Sequence, residues 1–419
     1  MIDLNDELQP TVTKLMQMIK MGSRNRLLQA GYAKSPAAQL TDIILHHAAQ
    51  LQASDIHFEP WPNQLLVRFR LDGRLVRVCY LPPEVSAYLI SCLKLMSGMD
   101  IAEKRLPQDG SILYGADRLD IRASSIPVLH GEKIVLRILG TAGSIMELEH
   151  MGFSAENLTL FKRLLKSAGG IIAITGPVNS GKSTLLYAAL RRLNKADVNI
   201  VTVEDPIEMQ LDGINQMQVN QKAGMSFGTG LKAVLRQDPD VVMVGEIRDE
   251  ITAKEAVRAA LTGHLVLTTL HTADAAGVPA RLIDMGVKPS LLSITLLAAL
   301  SQRLVRRICP HCMQSYVPPD NSLEAAVLGG AFHTGMQLQR GTGCIHCRGS
   351  GYSGRTALQE IMTVSDDIKL LIADNAADIK LKRLLRQSGM RTLLDDGKNK
   401  ILDGTTTAQE VWRVLNGIS

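Results

Sequence analysis

The segment from Gly176 to Thr184 reads Gly-Pro-Val-Asn-Ser-Gly-Lys-Ser-Thr and matches the pattern G-x-x-x-x-G-K-S/T. An apolar run over residues 171–175 precedes it, and residues 185–193 have the pattern of a helix. Glycines let the backbone curl so that N–H groups point at a phosphate, and the positive end of the following helix adds to this attraction. The order strand, glycine-rich loop, helix therefore predicts an α/β fold with a phosphate-binding loop.

Within this loop we assign the phosphate contacts to the backbone and to two side chains. Lys182 should reach the β- and γ-phosphates, and the Ser183 hydroxyl should coordinate Mg²⁺. The alternative is a glycine-rich turn that matches the pattern by chance. The predicted nucleotide-binding residues are Gly176, Pro177, Val178, Asn179, Ser180, Gly181, Lys182, Ser183 and Thr184.

Four short apolar runs around this loop predict a parallel sheet. None has the polar alternation of a half-exposed strand, so we expect strands that are buried on both faces and joined by helices. The four runs are residues 171–175, 199–203, 241–244 and 265–270.

Polar residues follow three of these strands directly, namely Glu204, Glu246 and His271. Because ligands of parallel sheets bind at the carboxyl ends of the strands, these side chains should converge beside the phosphate loop. One carboxylate can hold Mg²⁺, and another can orient or deprotonate an attacking water. Taken singly, each acid can also be a surface charge or a helix cap, and His271 can be an ordinary strand-end histidine.

Residues 39–140 follow a different pattern, which predicts a separate α+β domain. The apolar spacing over residues 39–52 is helical, and Thr41 or Asp42 can cap this helix. Extended runs with polar alternation follow it. Residues 353–419 have a helical pattern, and Thr407 with Glu410 can form a capping box for the last helix.

Several arginines belong to the predicted strands of the first domain. Arg122 lies on the polar face of its strand, whereas Arg137 shares its side with apolar residues. Either can be an ordinary exposed strand arginine instead. Three weaker candidates for a site are Arg68, Arg70 and Arg105.

Four of the six cysteines form two C-x-x-C pairs. Each pair can bind one edge of a tetrahedral Zn²⁺, the geometry that four thiolates prefer. Four protein ligands leave no open position for water, so this zinc should be structural. His311 and His346 are alternative ligands, and pairs without metal are the remaining alternative. The pairs are Cys309 with Cys312 and Cys344 with Cys347.

Composition narrows the class of function. A formal charge of +5 on 419 residues is small for a protein that coats a polyanion, and 4% aromatic residues disfavour a base-stacking platform. No apolar run reaches the roughly 20 residues of a membrane helix. The first residues are acidic where a signal peptide would be basic, so we expect a cytoplasmic protein.

The motifs resemble those of the secretion ATPases of type II secretion and type IV pilus assembly, over about residues 40–419. This chain departs from the family pattern at Val178 and Asn179 of the phosphate loop, where Thr-Gly is usual, and at Ala273, where Asn is usual. The matching segments are the N-terminal signatures at 53–60 and 103–110, the Asp box at 201–208, the Walker B region at 235–249 and the His box at 262–272.

The resemblance implies roles for the residues at the strand ends. Glu204 would be the catalytic base on the lytic water. Glu246 would be the Walker B acid, which with Ser183 would hold Mg²⁺. His264 and His271 would respond to the γ-phosphate.

The resemblance also implies a homohexamer, in which arginines of the N-terminal domain close over the nucleotide. Arg122 and Arg137 occupy the matching positions. A tetracysteine element is found in the assembly-type members of the family and is lacking in the retraction-type members.

The implied architecture is a RecA-like P-loop ATPase domain with an N-terminal, PAS-like α+β domain and a C-terminal zinc-binding and helical region. The expected boundaries are 1–38 for a lead that can dock a partner, 39–142 for the α+β domain, 143–150 for a linker, 151–304 for the ATPase core, 305–352 for the tetracysteine subdomain and 353–419 for the helical region.

The implied function is a cytoplasmic ATPase motor at the inner membrane that uses ATP, Mg²⁺ and Zn²⁺. It would assemble pseudopili or type IV pili through a platform protein in that membrane, together with a cytoplasmic docking protein. A motor that translocates nucleic acid is the alternative, although we expect no direct contact with nucleic acid. A nucleotide-gated scaffold without turnover is a third hypothesis, and intact Lys182, Glu204 and Glu246 argue against it.

Overall fold

The structure, a computed structural model, describes residues 4–20, 35–115, 119–139 and 146–417. The chain divides into two compact units, Met1–Ser144 and Ile145–Ser419. The division falls within the expected linker 143–150, of which residues 143–145 lie outside the described residues.

The N-terminal unit combines helices with a six-stranded antiparallel sheet, in the order β3–β2–β1–β6–β5–β4. The predicted α+β domain is confirmed, since the apolar side chains of β2 that alternate along the strand, such as Val67 and Phe69, are fully buried. The elements are α1 (Asn5–Lys20), α2 (Pro36–Gln50), β1 (Asp55–Trp61), β2 (Gln64–Leu71), β3 (Arg74–Leu81), α3 (Pro83–Met96), β4 (Gln108–Tyr114), β5 (Leu119–Val128) and β6 (Gly131–Ile138).

Helix α2 begins earlier than its apolar spacing predicts. The Ser35 hydroxyl accepts a hydrogen bond from the Ala38 N–H at 3.1 Å, and Pro36 occupies the first turn, where no N–H is needed. Neither Thr41 nor Asp42 is the cap, because both lie inside the helix. Helix α1 belongs to the expected lead 1–38, yet its Leu8 and other apolar side chains are buried in the core of this unit.

The C-terminal unit contains a seven-stranded sheet in the order β15–β12–β7–β11–β10–β8–β9. Only β15 runs antiparallel to its neighbour. The strands are β7 (Gly170–Thr175), β8 (Ile200–Glu204), β9 (Asn215–Gln218), β10 (Val241–Val244), β11 (Leu265–Leu270), β12 (Leu296–Ile308) and β15 (Tyr352–Thr363), and a separate hairpin pairs β13 (Met313–Tyr316) with β14 (Leu338–Gly341).

Helices cover both faces of this sheet. In β7, Ile171 and Ala173 face one apolar core while Ile172 and Ile174 face the other. The prediction of strands buried on both faces is confirmed. The helices are α4 (Ala155–Leu164), α5 (Lys182–Leu193), α6 (Phe227–Val234), α7 (Glu250–Leu261), α8 (Gly277–Asp284), α9 (Pro289–Thr295), α10 (Leu323–Leu328), α11 (Asp366–Ala373), α12 (Asp378–Gln387), α13 (Leu393–Leu402) and α14 (Ala408–Leu415).

Strand β12 crosses the expected boundary between residues 304 and 305. It pairs with β15 from Ala298, opposite Thr363, to Ile308, opposite Tyr352. Residues 353–419 are therefore not purely helical, since β15 completes the main sheet. Across the described ranges, no helix has both the length and the apolar character needed to span a bilayer.

The predicted capping box before α14 forms only in part. Thr407 Oγ1 accepts a hydrogen bond from the Glu410 N–H at 3.3 Å, as a cap should. The Glu410 carboxylate instead bonds Arg306 at 2.5 Å and Arg413 at 2.9 Å. Burial raises the pKa of Glu410, but the hydrogen bonds from the two arginines outweigh this effect and lower it to about 2.

A buried ion pair lies in the N-terminal unit. Lys94 Nζ is 2.6 Å from Glu132 Oε1 and also donates to the Glu103 carbonyl oxygen at 2.6 Å. The two side chains are 1% and 9% exposed. Removing one member of such a pair leaves the other charge buried without a partner.

Lys94→Met should therefore lower the free energy of unfolding of this unit by about 3–5 kcal/mol. Urea unfolding can be followed by Trp61 fluorescence in a Trp412→Phe background. Arg105→Met is the matched control, since it removes an exposed pair with Glu103 in the same unit and should cost much less stability. Equal losses in both variants would contradict the prediction.

Candidate nucleotide site and metal centre

The predicted phosphate loop joins β7 to α5. Gly176 and Gly181 have φ angles of +147° and +83°, and Asn179 has +63°. A Cβ at Gly176 would lie 2.4 Å from the Gln302 carbonyl oxygen, and one at Gly181 would lie 2.8 Å from Gln302 Nε2. Side chains at these two glycines are therefore excluded both by backbone conformation and by space.

Two polar side chains of the loop suit a phosphate. Lys182 Nζ donates to the carbonyl oxygens of Gly176 and Pro177, each at 2.8 Å, so the ammonium group sits on the loop. Burial lowers the pKa of Lys182, while Glu246 opposes this shift. Ser180 Oγ is buried and has no hydrogen-bond partner among the residues described, and a phosphate oxygen would give it one.

A pair of glutamines supports the loop from behind. Gln302 Nε2 donates to the Ser180 carbonyl oxygen at 2.8 Å, and Gln359 Nε2 donates to Gln302 Oε1 at 2.8 Å. Both side chains are fully buried and lie opposite each other on β12 and β15. No sequence motif indicates Gln302 or Gln359. A polar residue that follows an apolar run within a strand is a signal that can mark a buried hydrogen bond of this kind.

Glu204 ends β8 and is only 4% exposed. Its Oε1 accepts hydrogen bonds from Thr202 Oγ1 at 2.5 Å and from Gln216 Nε2 at 3.0 Å. Its Oε2 accepts a hydrogen bond from the Tyr187 hydroxyl. Sequence motifs cover Glu204 and Thr202, but neither Tyr187 nor Gln216.

Glu246 follows β10 and lies beside His271, which the sequence places at the same edge. His271 Nε2 is 3.6 Å from Glu246 Oε2, and Arg248 Nη2 is 2.5 Å from Glu246 Oε1. The Glu246 side chain is 13% exposed and that of His271 47%. Two of the three predicted strand-end residues are thus in direct contact.

His264 lies at the opposite end of β11. Its Nδ1 is 2.9 Å from Thr262 Oγ1 and 3.0 Å from the Ala259 carbonyl oxygen. At about 3.3 Å per residue, the strand separates His264 from His271 by roughly 20 Å. His264 therefore does not join the residues beside the phosphate loop of its own unit.

Ala273, where the family pattern has Asn, is held through its backbone. Arg303 Nη2 donates to the Ala273 carbonyl oxygen at 2.8 Å. Burial lowers the pKa of Arg303, and Glu360 and Asp274 oppose that shift. Arg303 in turn contributes to lowering the pKa of Lys182, which places a second cation near the phosphate loop.

In the N-terminal unit, Arg122 and Arg137 are directly opposite each other on β5 and β6. The same row continues with Asp55 on β1 and Arg70 on β2. Asp55 lies 3.2 Å from Arg137 Nε and 3.3 Å from Arg70 Nε. Since the side chains of Arg122 and Arg137 are 40% and 57% exposed, both present guanidinium groups at the surface.

The two remaining arginine candidates are paired with carboxylates. Arg68 Nη2 lies 2.7 Å from Glu59 Oε1, and Arg105 Nη2 lies 2.8 Å from Glu103 Oε2. The hydrogen bonds from Arg105 lower the pKa of Glu103 to about 2. Arg105 itself is 87% exposed.

The four paired cysteines form one cluster in which all sulfurs lie within 4.8 Å of one another. Three Sγ–Sγ distances are 3.9 Å for Cys309–Cys344, 3.7 Å for Cys312–Cys347 and 3.7 Å for Cys344–Cys347. Tetrahedral zinc with bonds of about 2.3 Å places its sulfurs about 3.8 Å apart. The four side chains therefore fit zinc.

Other groups around this cluster agree with a metal held by sulfur alone. The backbone N–H groups of Cys344 and Gly351 point at Cys347 Sγ, at 3.1 and 3.2 Å. The rings of His311 and His346 stack on each other with centroids 4.0 Å apart. In the part of the chain that the structure describes, the cluster contains the cysteines and neither histidine.

Comparison with known proteins identifies the family of this chain. The sequence matches the Type II/IV secretion system protein family over residues 32–413. It is 47% identical over 382 residues to type II secretion system protein E of Pseudomonas aeruginosa, which covers 91% of this chain and 76% of the relative. It is 46% identical over 380 residues to the type IV pilus assembly ATPase PilB of Thermus thermophilus, which covers 90% of this chain and 43% of PilB.

The chain belongs to this family. It is a secretion ATPase, related to those of type II secretion and type IV pilus systems. Members of the family use ATP and Mg²⁺, which agrees with the phosphate loop described above.

Solved structures agree with the fold. The ATPase DotB of Legionella pneumophila superimposes with a TM-score of 0.67 at 22% identity, covering 90% of this chain and 95% of DotB. The pilus retraction motor PilT with bound ADP gives 0.60 at 26% identity, covering 88% and 94%. The RecA-like fold class expected from the sequence is therefore confirmed.

Purified protein should contain about one zinc per chain by elemental analysis, and chelation should remove it. Cys344→Ser should lose the metal and expose the segment between the two cysteine pairs to protease, while fluorescent ADP still binds. Cys92→Ala, which changes a buried cysteine of the other unit, should keep its zinc. Freshly purified protein without zinc, in which all four thiols titrate freely, would contradict the fit.

Proposed function

We propose that the chain is a hexameric motor that hydrolyses ATP to assemble pseudopili or type IV pili through a platform protein of the inner membrane. The observation that carries the proposal is the nucleotide site of the C-terminal unit, where the charge of Glu246 influences Lys182 of the phosphate loop and Glu204 accepts a hydrogen bond from Tyr187 of the following helix. The N-terminal unit has Arg122 and Arg137 side by side on its sheet. The relatives named for type II secretion and pilus assembly match 91% and 90% of this chain.

Within one subunit, the loop backbone and Lys182 would bind the phosphates. Ser183 and Glu246 would hold Mg²⁺, which neutralises phosphate charge when bound. Glu204 would accept a proton from the attacking water. His271, in contact with Glu246, would respond to the γ-phosphate.

The arginines would complete the site across a subunit boundary. A guanidinium group against the γ-phosphate stabilises the charge that develops in the transition state. We therefore place Arg122 and Arg137 of one subunit over the nucleotide of its neighbour. Zinc at the four cysteines would be structural.

Partners and location follow from the same proposal. The motor would work in the cytoplasm, at the inner membrane, and would be attached there by the platform protein and by a cytoplasmic docking protein. A motor that translocates nucleic acid is less well supported. The arginines of the N-terminal sheet do not form a free basic stripe, since Asp55 pairs with Arg70 and Arg137, and Glu59 pairs with Arg68.

Lys182→Ala should abolish turnover because it removes the cation that bridges the phosphates. Glu204→Gln should bind fluorescent ADP normally yet lose hydrolysis, because an amide cannot accept the proton. Phosphate release and ADP titration measure the two effects. Glu156→Gln, an exposed acid on α4, is the control and should remain active. Near-normal turnover in Glu204→Gln would remove Glu204 from the role of base.

Specific activity should rise with protein concentration, and Arg122→Ala should lower turnover by about 10³–10⁵-fold, the range known for arginine fingers. Mixing Arg122→Ala with Lys182→Ala should restore part of the activity. In a mixed hexamer, some interfaces combine the intact Lys182 of one variant with the intact Arg122 of the other. Arg74→Ala, on the edge strand β3, is the control. Mixed hexamers that stay inactive would refute action across the boundary, and concentration-independent turnover by a monomer would refute the hexameric motor.

A further inference from the structure

Tyr187 connects the phosphate-binding helix to the candidate base. It lies on α5 four residues after Ser183, so the two hydroxyl-bearing side chains occupy the same face of the helix one turn apart. The Tyr187 side chain is buried, with 3% exposure. The residue expected to hold Mg²⁺ and the residue that contacts Glu204 are therefore fixed to one rigid element.

The hydrogen bonds of Glu204 leave one oxygen less occupied than the other. Its Oε1 accepts from both Thr202 and Gln216, whereas its Oε2 accepts from Tyr187 alone among the residues that the structure describes. A carboxylate oxygen has about two acceptor sites. The remaining acceptor site of Glu204 is therefore on Oε2, the oxygen that Tyr187 holds.

The Tyr187 hydroxyl is itself held in one orientation. It accepts a hydrogen bond from the Glu208 N–H at 3.2 Å, which leaves its proton to point at Glu204. Burial and the charge of Glu204 raise the pKa of Tyr187, so the hydroxyl keeps this proton at physiological pH. The hydroxyl thus acts as a fixed donor and not as an acid.

We propose that Tyr187 is a positioning residue for ATP hydrolysis. It directs the free acceptor site of Glu204 Oε2 toward the attacking water. This inference rests on the proposed role of Glu204 as the base. It adds a residue outside the sequence motifs, placed by the same helix that begins at Lys182.

Tyr187→Phe keeps the ring and removes the hydroxyl. At saturating ATP, kcat should fall about 10- to 100-fold, the range expected when a hydrogen bond to a charged group is lost. Fluorescent ADP should bind within about 2-fold of the parent protein, since no contact of the phosphate loop changes. A fall in kcat at nearly unchanged ADP affinity separates positioning of the base from binding of the nucleotide.

Tyr316→Phe is the matched control. The Tyr316 hydroxyl donates to Glu324 Oε1 at 2.7 Å, so the same type of hydrogen bond is removed in a region without proposed catalytic residues. Its kcat should match that of the parent protein. A second variant carries 3,5-difluorotyrosine at position 187, which keeps a hydroxyl donor on the ring. Its kcat should remain well above that of Tyr187→Phe, because the donor to Glu204 is retained.

The outcomes separate this inference from the proposed role of Glu204. If Glu204→Gln is inactive while Tyr187→Phe retains parental kcat, only the role of Tyr187 is overturned. A loss of kcat in Tyr187→Phe with ADP binding weakened in parallel, or a 3,5-difluorotyrosine variant as slow as Tyr187→Phe, would overturn it in favour of a packing role. If Glu204→Gln stays active, both proposals fall. In the Glu204→Gln background, Tyr187→Phe should have no further effect on residual turnover.

Discussion

The pairing of β12 with β7 on one side and with β15 on the other positions most of the C-terminal unit. Ser301 of β12 lies opposite Thr175, the last residue of β7, so that Gln302 comes next to the phosphate loop. The following residue, Arg303, bonds the His box at Ala273. Because side chains alternate along a strand, a shift of one residue in this register would turn both side chains to the opposite face and remove both contacts.

The far end of the same strand is fixed by different interactions. Arg306 pairs with the buried Glu410 of α14 and lies over the ring of Tyr352, 4.0 Å from its centroid. Two residues after the irregularity in the pairing comes Cys309, whose N–H donates to the Gly351 carbonyl oxygen. The cysteine cluster and the phosphate loop therefore both depend on the register of β12. The two sets of contacts lie at opposite ends of this strand.

The sequence predicts those elements whose signal is local. A strand buried on both faces must be a continuous apolar run, and a phosphate loop must contain glycines at fixed positions, so β7, β8, β10 and β11 and the loop can be predicted. Strand β15 cannot, because it carries Gln359 and Glu360 in its buried part. The Gln359 amide donates to Gln302, and the Glu360 carboxylate accepts from the N–H groups of Ala275 and Leu393, all distant in sequence.

The candidate site shows the same division. Glu204, Glu246 and His271 follow strands, and a rule about strand ends is enough to predict them. The donors to Glu204 come from a helix, from the strand itself and from β9, and no fixed spacing along the chain unites them. The local signs are the two-residue interval between Thr202 and Glu204 on one strand and the four-residue interval between Ser183 and Tyr187 on one helix.

The surroundings of the two acids suit them to different tasks. Glu246 Oε1 lies beside the cationic Arg248, and its Oε2 lies beside His271, which is cationic when protonated. The carboxylate can therefore exchange one cationic partner for another. That property suits a ligand of Mg²⁺, which must be bound and released with each nucleotide. Glu204 is held by three neutral donors and keeps one acceptor site, so it can take up a proton without first breaking an ion pair. In the proposed mechanism, Glu204 would therefore be preorganised for proton transfer, and Glu246 would exchange its present partners for the metal.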